Sequence, residues 1–235
     1  MDKKNKQETW KKNAANEAVK LVQNNMILGL GTGSTANWFI KILAQKLKKE
    51  NLNVKCVCTS NETKFLAKKE GLFVVELNTV PKIDLTVDGA DEFDKQKNLI
   101  KGGGGALLKE KIVASNSKKF VIIADETKSK KKLGEFPLPI EIVQFGCQKT
   151  YDQINETLKS LKFDDFNICF RMKNGMKFLT DEGHFIVDIY LSEIQDPINL
   201  QNNIISIPGV VETGLFLKMA DEIIIGMQNK KIFRI

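Results

Sequence analysis

Along the first half of the chain, apolar positions switch back and forth between a helical period and short unbroken runs. Trp10, Ala14, Ala18, Leu21 and Val22 recur at helical spacing with Lys11 and Lys12 beside them, and predict a helix that Asn24-Asn25 ends. Met26 to Leu30 is a short apolar run that fits a buried strand. It turns through Gly29-Leu30-Gly31-Thr32-Gly33-Ser34-Thr35 into a second helical pattern carrying Ala36, Phe39, Ile40, Leu43 and Leu47. A strand over Val54 to Cys58, a helix capped by Ser60 or Asn61 and a strand over Leu72 to Leu77 follow. Asp84 to Val87 and Phe120 to Ala124 read as two more strands. Such alternation predicts a parallel sheet with helices on both faces.

Two close prolines in Phe136-Pro137-Leu138-Pro139 halt that rhythm. Beyond them the pattern predicts a strand at Glu141 to Phe145 and a helix at Tyr151 to Leu161. Strands at Asn167 to Met172 and Phe185 to Leu191 and a helix from Pro197 complete the resemblance to a split β-α-β-β-α-β module. Pro208 to Val211 and Glu222 to Gly226 then read as a return to the first sheet, with Lys231 to Ile235 as a last short edge. The expected fold is α/β: an open, mostly parallel, doubly wound Rossmann-like sheet with a smaller α+β ferredoxin-like domain inserted before the C-terminal strands. The expected boundaries are 1–137 and 208–235 for the α/β catalytic domain and 138–207 for the small one.

With 235 residues, 42% of them hydrophobic, the chain can bury a full core. No apolar run approaches the roughly 20 residues of a membrane span, and residues 1–12 are polar and lysine-rich, so a soluble cytoplasmic protein is expected. Cys56 and Cys58 form one C-x-C within a probable strand and Cys147 and Cys169 stand alone, which suggests neither disulfides nor a zinc site. The net charge of +7 admits nucleic acid as a partner, but Lys128 to Lys132 has no interleaved aromatics. Solvated helix faces and an anionic substrate account for the lysines better.

The chemistry concentrates in three stretches. Lys101-Gly102-Gly103-Gly104-Gly105 brings bare backbone N–H groups to a helix start, where anions are favoured, and Glu110 falls about one turn into that helix. A cation, a nest of donors and a carboxylate together suit removal of a proton from a carbon next to a carbonyl. Asp88 and Asp91 flank Gly89-Ala90 at a strand's end and can converge on one pocket. Gly29 to Thr35 lacks the third glycine of a dinucleotide fingerprint, because Ser34 stands there, and no acid ends the following strand to hold a ribose. Thr32, Ser34 and Thr35 suit a terminal phosphate instead. His184, the one histidine, reads as a surface residue, and a catalytic metal site would need more such ligands.

In order and at matching spacing, Gly-Leu-Gly-Thr-Gly-Ser-Thr-Ala (29–36), Val-Asp-Gly-Ala-Asp-Glu (87–92), Ile-Lys-Gly-Gly-Gly-Gly-Ala-Leu-Leu-Lys-Glu-Lys (100–111), Ile-Ala-Asp (123–125) and Ile-Pro-Gly-Val-Val-Glu-Thr-Gly-Leu-Phe (207–216) closely resemble ribose-5-phosphate isomerase type A. The resemblance implies interconversion of D-ribose 5-phosphate and D-ribulose 5-phosphate through a cis-enediolate, in the non-oxidative pentose phosphate pathway, without metal or cofactor. It implies that Glu110 is the proton acceptor, that Asp88 opens the furanose ring, and that Asp91 and Lys101 hold hydroxyls and the charged oxygen. Gly102, Gly103 and Gly104 are implied oxyanion donors; Thr32, Gly33, Ser34, Thr35, Gly89, Ala90, Lys128 and Lys11 are implied substrate or phosphate contacts. Gly105 stands where the family commonly has alanine, and Leu108-Lys109 where Thr-Arg is often seen. A homodimer or homotetramer is expected, with a small sugar phosphate as partner and neither nucleic acid nor membrane. Two other readings stay open: a sugar-phosphate sensor without turnover, and a transferase whose glutamate attacks a thioester.

Overall fold

The computed structural model describes residues 3–228 and 231–235. In order, the elements are α1 (Lys3–Val19), β1 (Ile27–Leu30), α2 (Ser34–Glu50), β2 (Lys55–Cys58), α3 (Asn61–Lys69), β3 (Leu85–Asp88), β4 (Glu92–Phe93), β5 (Leu99–Ile100), α4 (Leu107–Ser115) and β6 (Phe120–Asp125). They continue with β7 (Leu138–Ile142), α5 (Cys147–Ser160), β8 (Asn167–Phe170), β9 (Met172–Lys173), β10 (Met176–Lys177) and β11 (Phe185–Tyr190). The chain closes with α6 (Pro197–Ile205), β12 (Val210–Thr213), β13 (Leu215–Phe216), β14 (Glu222–Gly226) and β15 (Ile232–Arg234). These fall into two compact units. One holds the residues up to Ala90, Lys109–Ser129 and those from Lys218 onward; the other holds Asp91–Leu108 and Lys130–Leu217. The second unit thus extends beyond the expected 138–207.

In the first unit the strand order is β2-β1-β3-β6-β14-β15, parallel throughout except for β15. Leu28, Leu30, Leu85, Val87, Val121 and Ile123 of the sheet share one core with Ala14, Ala15 and Ala18 of α1 and Phe39, Ile40 and Leu43 of α2. Each large apolar side chain so buried contributes roughly 1.5–3 kcal/mol, which is why short unbroken apolar runs suffice to define these strands. Ser60, not Asn61, caps α3: its Oγ accepts from the Thr63 amide at 3.0 Å. Burial raises the Cys56 thiol to about 12 and the Cys58 thiol to about 11, so both are inert at neutral pH.

The strand expected over Leu72 to Leu77 is not formed. A single bridge joins Val74 to Cys56, through Cys56 N–H to Phe73 O at 2.8 Å and Val75 N–H to Cys56 O at 2.9 Å. This is the outer side of β2, where Phe73 is exposed and nothing further rewards pairing.

The second unit is built on an antiparallel sheet in the order β12-β7-β11-β8, with α5 and α6 in the connections. Counted along the chain this is 4-1-3-2, the arrangement of a split βαβ module. Two corrections follow. Val210–Thr213 pairs with β7 and supplies the module's fourth strand, so of the two segments expected to return to the first sheet only β14 does. The first strand spans Leu138–Ile142, not Glu141 to Phe145, and Pro139 lies inside it. Pro139 is tolerated because it sits where the neighbouring strand β12 ends; its carbonyl accepts from the Gly214 amide at 2.7 Å. Ile140, Ile142, Ile154, Leu158, Val187, Ile189, Leu200 and Ile204 form this unit's core. A small hairpin, β9 with β10, and a three-stranded sheet, β13-β5-β4, complete it. Among the described residues no helix is long and apolar enough to cross a membrane.

Candidate active site

In the first unit, strand order reverses between β1 and β3, and in open parallel sheets the crevice beyond such a reversal is where ligands bind. Asp88 ends β3 there and is fully buried. Its Oδ1 accepts from the Thr32 amide at 3.0 Å and the Gly89 amide at 2.7 Å. Gly31 makes this possible: a Cβ at that position would lie 2.0 Å from Asp88 Oδ1. Two backbone amides on one carboxylate oxygen fix the side chain's orientation.

The loop from Thr32 to Thr35 leads into α2 with Gly33 at the N-cap, so no side chain caps the helix start. Those helix amides keep their affinity for an anion. The structure brings Lys11 to this place: its ammonium donates to Ser34 Oγ at 3.0 Å and pairs with Glu8 at 2.8 Å. Gly89 approaches the same loop, and a Cβ added to it would meet Thr32 O at 3.9 Å. Thr32 itself differs from a simple phosphate donor. Its hydroxyl lies 2.8 Å from Thr59 Oγ1, 2.9 Å from Ser60 Oγ and 3.1 Å from Thr63 Oγ1, in a hydroxyl cluster that ties β1 to the start of α3. Lys128 is half-buried in the turn after β6, a turn tied to α1 by a 3.0 Å bond from Gln7 to Thr127. Glu110 sits in the first turn of α4, 4% exposed.

In the second unit, Asp91, Lys101 and the glycine run lie together. Asp91 Oδ2 accepts from the Gly103 amide at 2.8 Å, and the Asp91 amide donates to Ile100 O at 2.9 Å. Lys101 is 2% exposed, with its ammonium 5.5 Å from the centre of the Phe216 ring. In so poorly screened a place, a protonated lysine acts strongly on a neighbouring anion. Gly102 to Gly105 close a turn, Gly105 N–H to Gly102 O at 2.9 Å. Gly105 has φ +80°, and a Cβ there would lie 2.4 Å from the Phe178 ring. Gly105→Ala is therefore expected to lower stability by about 1–3 kcal/mol, read by urea denaturation. An unchanged midpoint would mean that the ring and backbone shift freely.

Other buried polar groups had no clear sequence signal. Glu92 accepts from the Gly134 amide at 2.8 Å and the Phe136 amide at 2.6 Å, while burial holds its carboxyl above the usual range. His184 is not a plain surface residue: its Nδ1 lies 2.9 Å from buried Glu141, which also accepts from Thr180 at 3.0 Å. Burial raises the Glu141 carboxyl, against the pull of those two bonds. An acid inside the apolar run Leu138–Ile142 was the available hint. Among the described residues no group of three or more His, Cys, Asp or Glu side chains is placed to hold a metal ion.

Comparison with known proteins places this geometry in context. The family model for ribose 5-phosphate isomerase A (phosphoriboisomerase A) matches residues 55–230. The chain is 46% identical over 219 residues to ribose-5-phosphate isomerase A of Dinoroseobacter shibae, covering 93% of this chain and 84% of that one. It is also similar to a solved ribose 5-phosphate isomerase from Plasmodium falciparum, with TM-score 0.91 and 38% identity, covering 97% of this chain and 98% of that one. A D-ribose-5-phosphate isomerase solved in complex with phospho-erythronic acid superposes with TM-score 0.90 at 37% identity, again over 97% and 98% of the two chains. With a family model matching most of its length and relatives this similar from end to end, the chain belongs to the ribose 5-phosphate isomerase A family.

Proposed function

We propose that this protein interconverts D-ribose 5-phosphate and D-ribulose 5-phosphate by proton transfer through a cis-enediolate. The observation that carries the reading is Glu110, a carboxylate buried in the first turn of the helix that follows the glycine run, within a chain of this family. A buried acid in a helix costs stability, and a carboxylate held beside a glycine run at a helix start is a candidate for proton transfer.

Asp88 assists opening of the furanose, exchanging a proton with the ring oxygen or the anomeric hydroxyl. Glu110 then removes the proton from C2; the C–H electrons form the C1–C2 double bond and O1 becomes an oxyanion. Lys101 and the amides of the glycine run other than those of Gly103 and Gly105, which Asp91 and the Gly102 carbonyl occupy, stabilise that charge as it appears, and Asp91 holds a hydroxyl. The proton of O2 passes to O1, Glu110 returns its proton to C1, and the ketose results. Protons and charge balance over this sequence with the chain's own residues as the only acid, base and electrostatic groups. The phosphate is read as lying against the open start of α2, where Lys11 and Ser34 meet, with Gly33, Thr35 and Lys128 completing its contacts, Thr32 shaping the loop through its bonds to Asp88 and the hydroxyl cluster, and Gly89-Ala90 lying along the sugar. Binding of phospho-erythronic acid by a relative supports a phosphorylated sugar acid as a fitting ligand. A homodimer or homotetramer in the cytoplasm, acting in the pentose phosphate pathway, accompanies this reading on the strength of the family.

Incubating the protein with ribose 5-phosphate after exhaustive chelation is expected to give ketose at the untreated rate. Binding without turnover would favour a sensor instead. A loss of rate restored by one divalent metal would replace proton transfer with metal-assisted chemistry.

A further inference from the structure

Within the second unit, one guanidinium grips the glycine run from its carbonyl side. Arg171 occupies the gap between β8 and β9, where its amide donates to Ile186 O and its carbonyl accepts from the Phe178 amide, both at 2.8 Å. Its Nη1 donates to Gly102 O at 2.7 Å and to Gly103 O at 3.1 Å. The other edge of the guanidinium is spent on Asp188, Nε to Oδ2 at 2.9 Å and Nη2 to Oδ1 at 2.5 Å. Both side chains are largely buried, 15% and 10% exposed, so this is a fixed, poorly screened pair and not a surface ion pair.

The geometry matters because of peptide planarity. In a trans peptide the carbonyl of one residue and the N–H of the next point in opposite directions. Holding the Gly102 carbonyl therefore aims the Gly103 N–H, which donates to Asp91 at 2.8 Å. Holding the Gly103 carbonyl aims the Gly104 N–H away from Arg171. A glycine run has no side chains to choose among its many backbone conformations, so an outside anchor must do so. A cation on a carbonyl oxygen also draws electron density from the amide and makes its N–H a stronger donor.

We propose that Arg171, itself oriented by Asp188, is a positioning residue that aims and polarises the Gly103 and Gly104 amides, the first toward Asp91 and the second toward the oxyanion of the enediolate. This rests on the isomerase reading above. Lysine cannot replace it, because a single ammonium cannot bind Asp188 in a fork and reach two carbonyls at once.

The test is steady-state kinetics of Arg171→Lys, Asp188→Asn and Arg171→Ala beside the wild type, with thermal melts of each and titration with phospho-erythronic acid, whose planar carboxylate imitates the enediolate oxygens. In Arg171→Lys, kcat is expected to fall roughly 10- to 100-fold, as for a misaimed catalytic group. KM for ribose 5-phosphate should stay within about threefold, while affinity for phospho-erythronic acid falls by a factor like that in kcat. Asp188→Asn should give a smaller loss of the same kind, and methylguanidinium added to Arg171→Ala should restore part of kcat. Folded Arg171→Lys with unchanged kcat overturns the proposal. So does a parallel loss of melting temperature, substrate binding and inhibitor binding in all three variants, which marks a purely structural role. An inactive wild type would instead reject the isomerase reading itself.

Discussion

Glu110→Gln is expected to lower isomerisation by at least roughly 100-fold to 10,000-fold, the range that a positioned general base supplies. Glutamine keeps the size of glutamate and much of its hydrogen bonding, so the buried place in the first turn of α4 stays filled. What it loses is the capacity to accept a proton from carbon. Binding should persist, because the phosphate end is read as resting on the α2 start and Lys11, which this substitution leaves alone. Calorimetry with a pentose phosphate measures binding, and a coupled ketose assay measures turnover. Loss of both together would point to collapse of the helix start; normal turnover would move the base to Asp88 or Asp91.

The second large effect is directional. Asp88→Asn retains an oxygen to accept from the Thr32 and Gly89 amides, so the turn after β3 should hold. The carboxylate's charge and its capacity to carry a proton are lost, and ribose 5-phosphate, a furanose in solution, can no longer be opened efficiently. Its conversion should fall roughly 100-fold to 1,000-fold, within the usual range for losing an acid–base group. Ribulose 5-phosphate has no furanose to open, since the hydroxyl needed for the ring carries the phosphate. Exchange of its C1 proton with solvent should therefore suffer much less in Asp88→Asn than in Glu110→Gln. Proton NMR of the ketose in D₂O measures this, and equal losses in the two variants would remove ring opening from the role of Asp88.

The first unit was readable because its signals are local. Unbroken apolar runs lie between glycine turns, and each run ends in the residues that the parallel sheet then presents at its carboxyl edge: Gly31 to Thr35 after β1, Asp88 after β3, Asp125 after β6. The glycine run and Glu110 were readable for the same reason, lying at and just inside a helix start. What was missed depends on distant pairing. Val210–Thr213 looks like any short strand, and only the free edge of β7 decides which sheet it joins. Leu72 to Leu77 has the right composition for a strand but meets one neighbour at one residue. Arg171 is 69 residues from Gly102, and no spacing rule connects them. The hydroxyl cluster of Thr32, Thr59, Ser60 and Thr63 likewise joins two loops that only the sheet order makes neighbours.

The central claim is proton transfer between C2 and C1 by a carboxylate, and solvent isotope incorporation tests it most directly. With wild-type protein and ribose 5-phosphate in D₂O, followed by NMR to equilibrium and beyond, deuterium should enter C1 of the ketose and, on repeated reversal, C2 of the aldose. A carboxylic acid holding the transferred proton exchanges it with water in some fraction of turnovers, and that fraction accumulates with each cycle. Ketose that forms at full rate but never acquires solvent deuterium, however many times the equilibrium is cycled, would contradict the account and require direct hydride transfer.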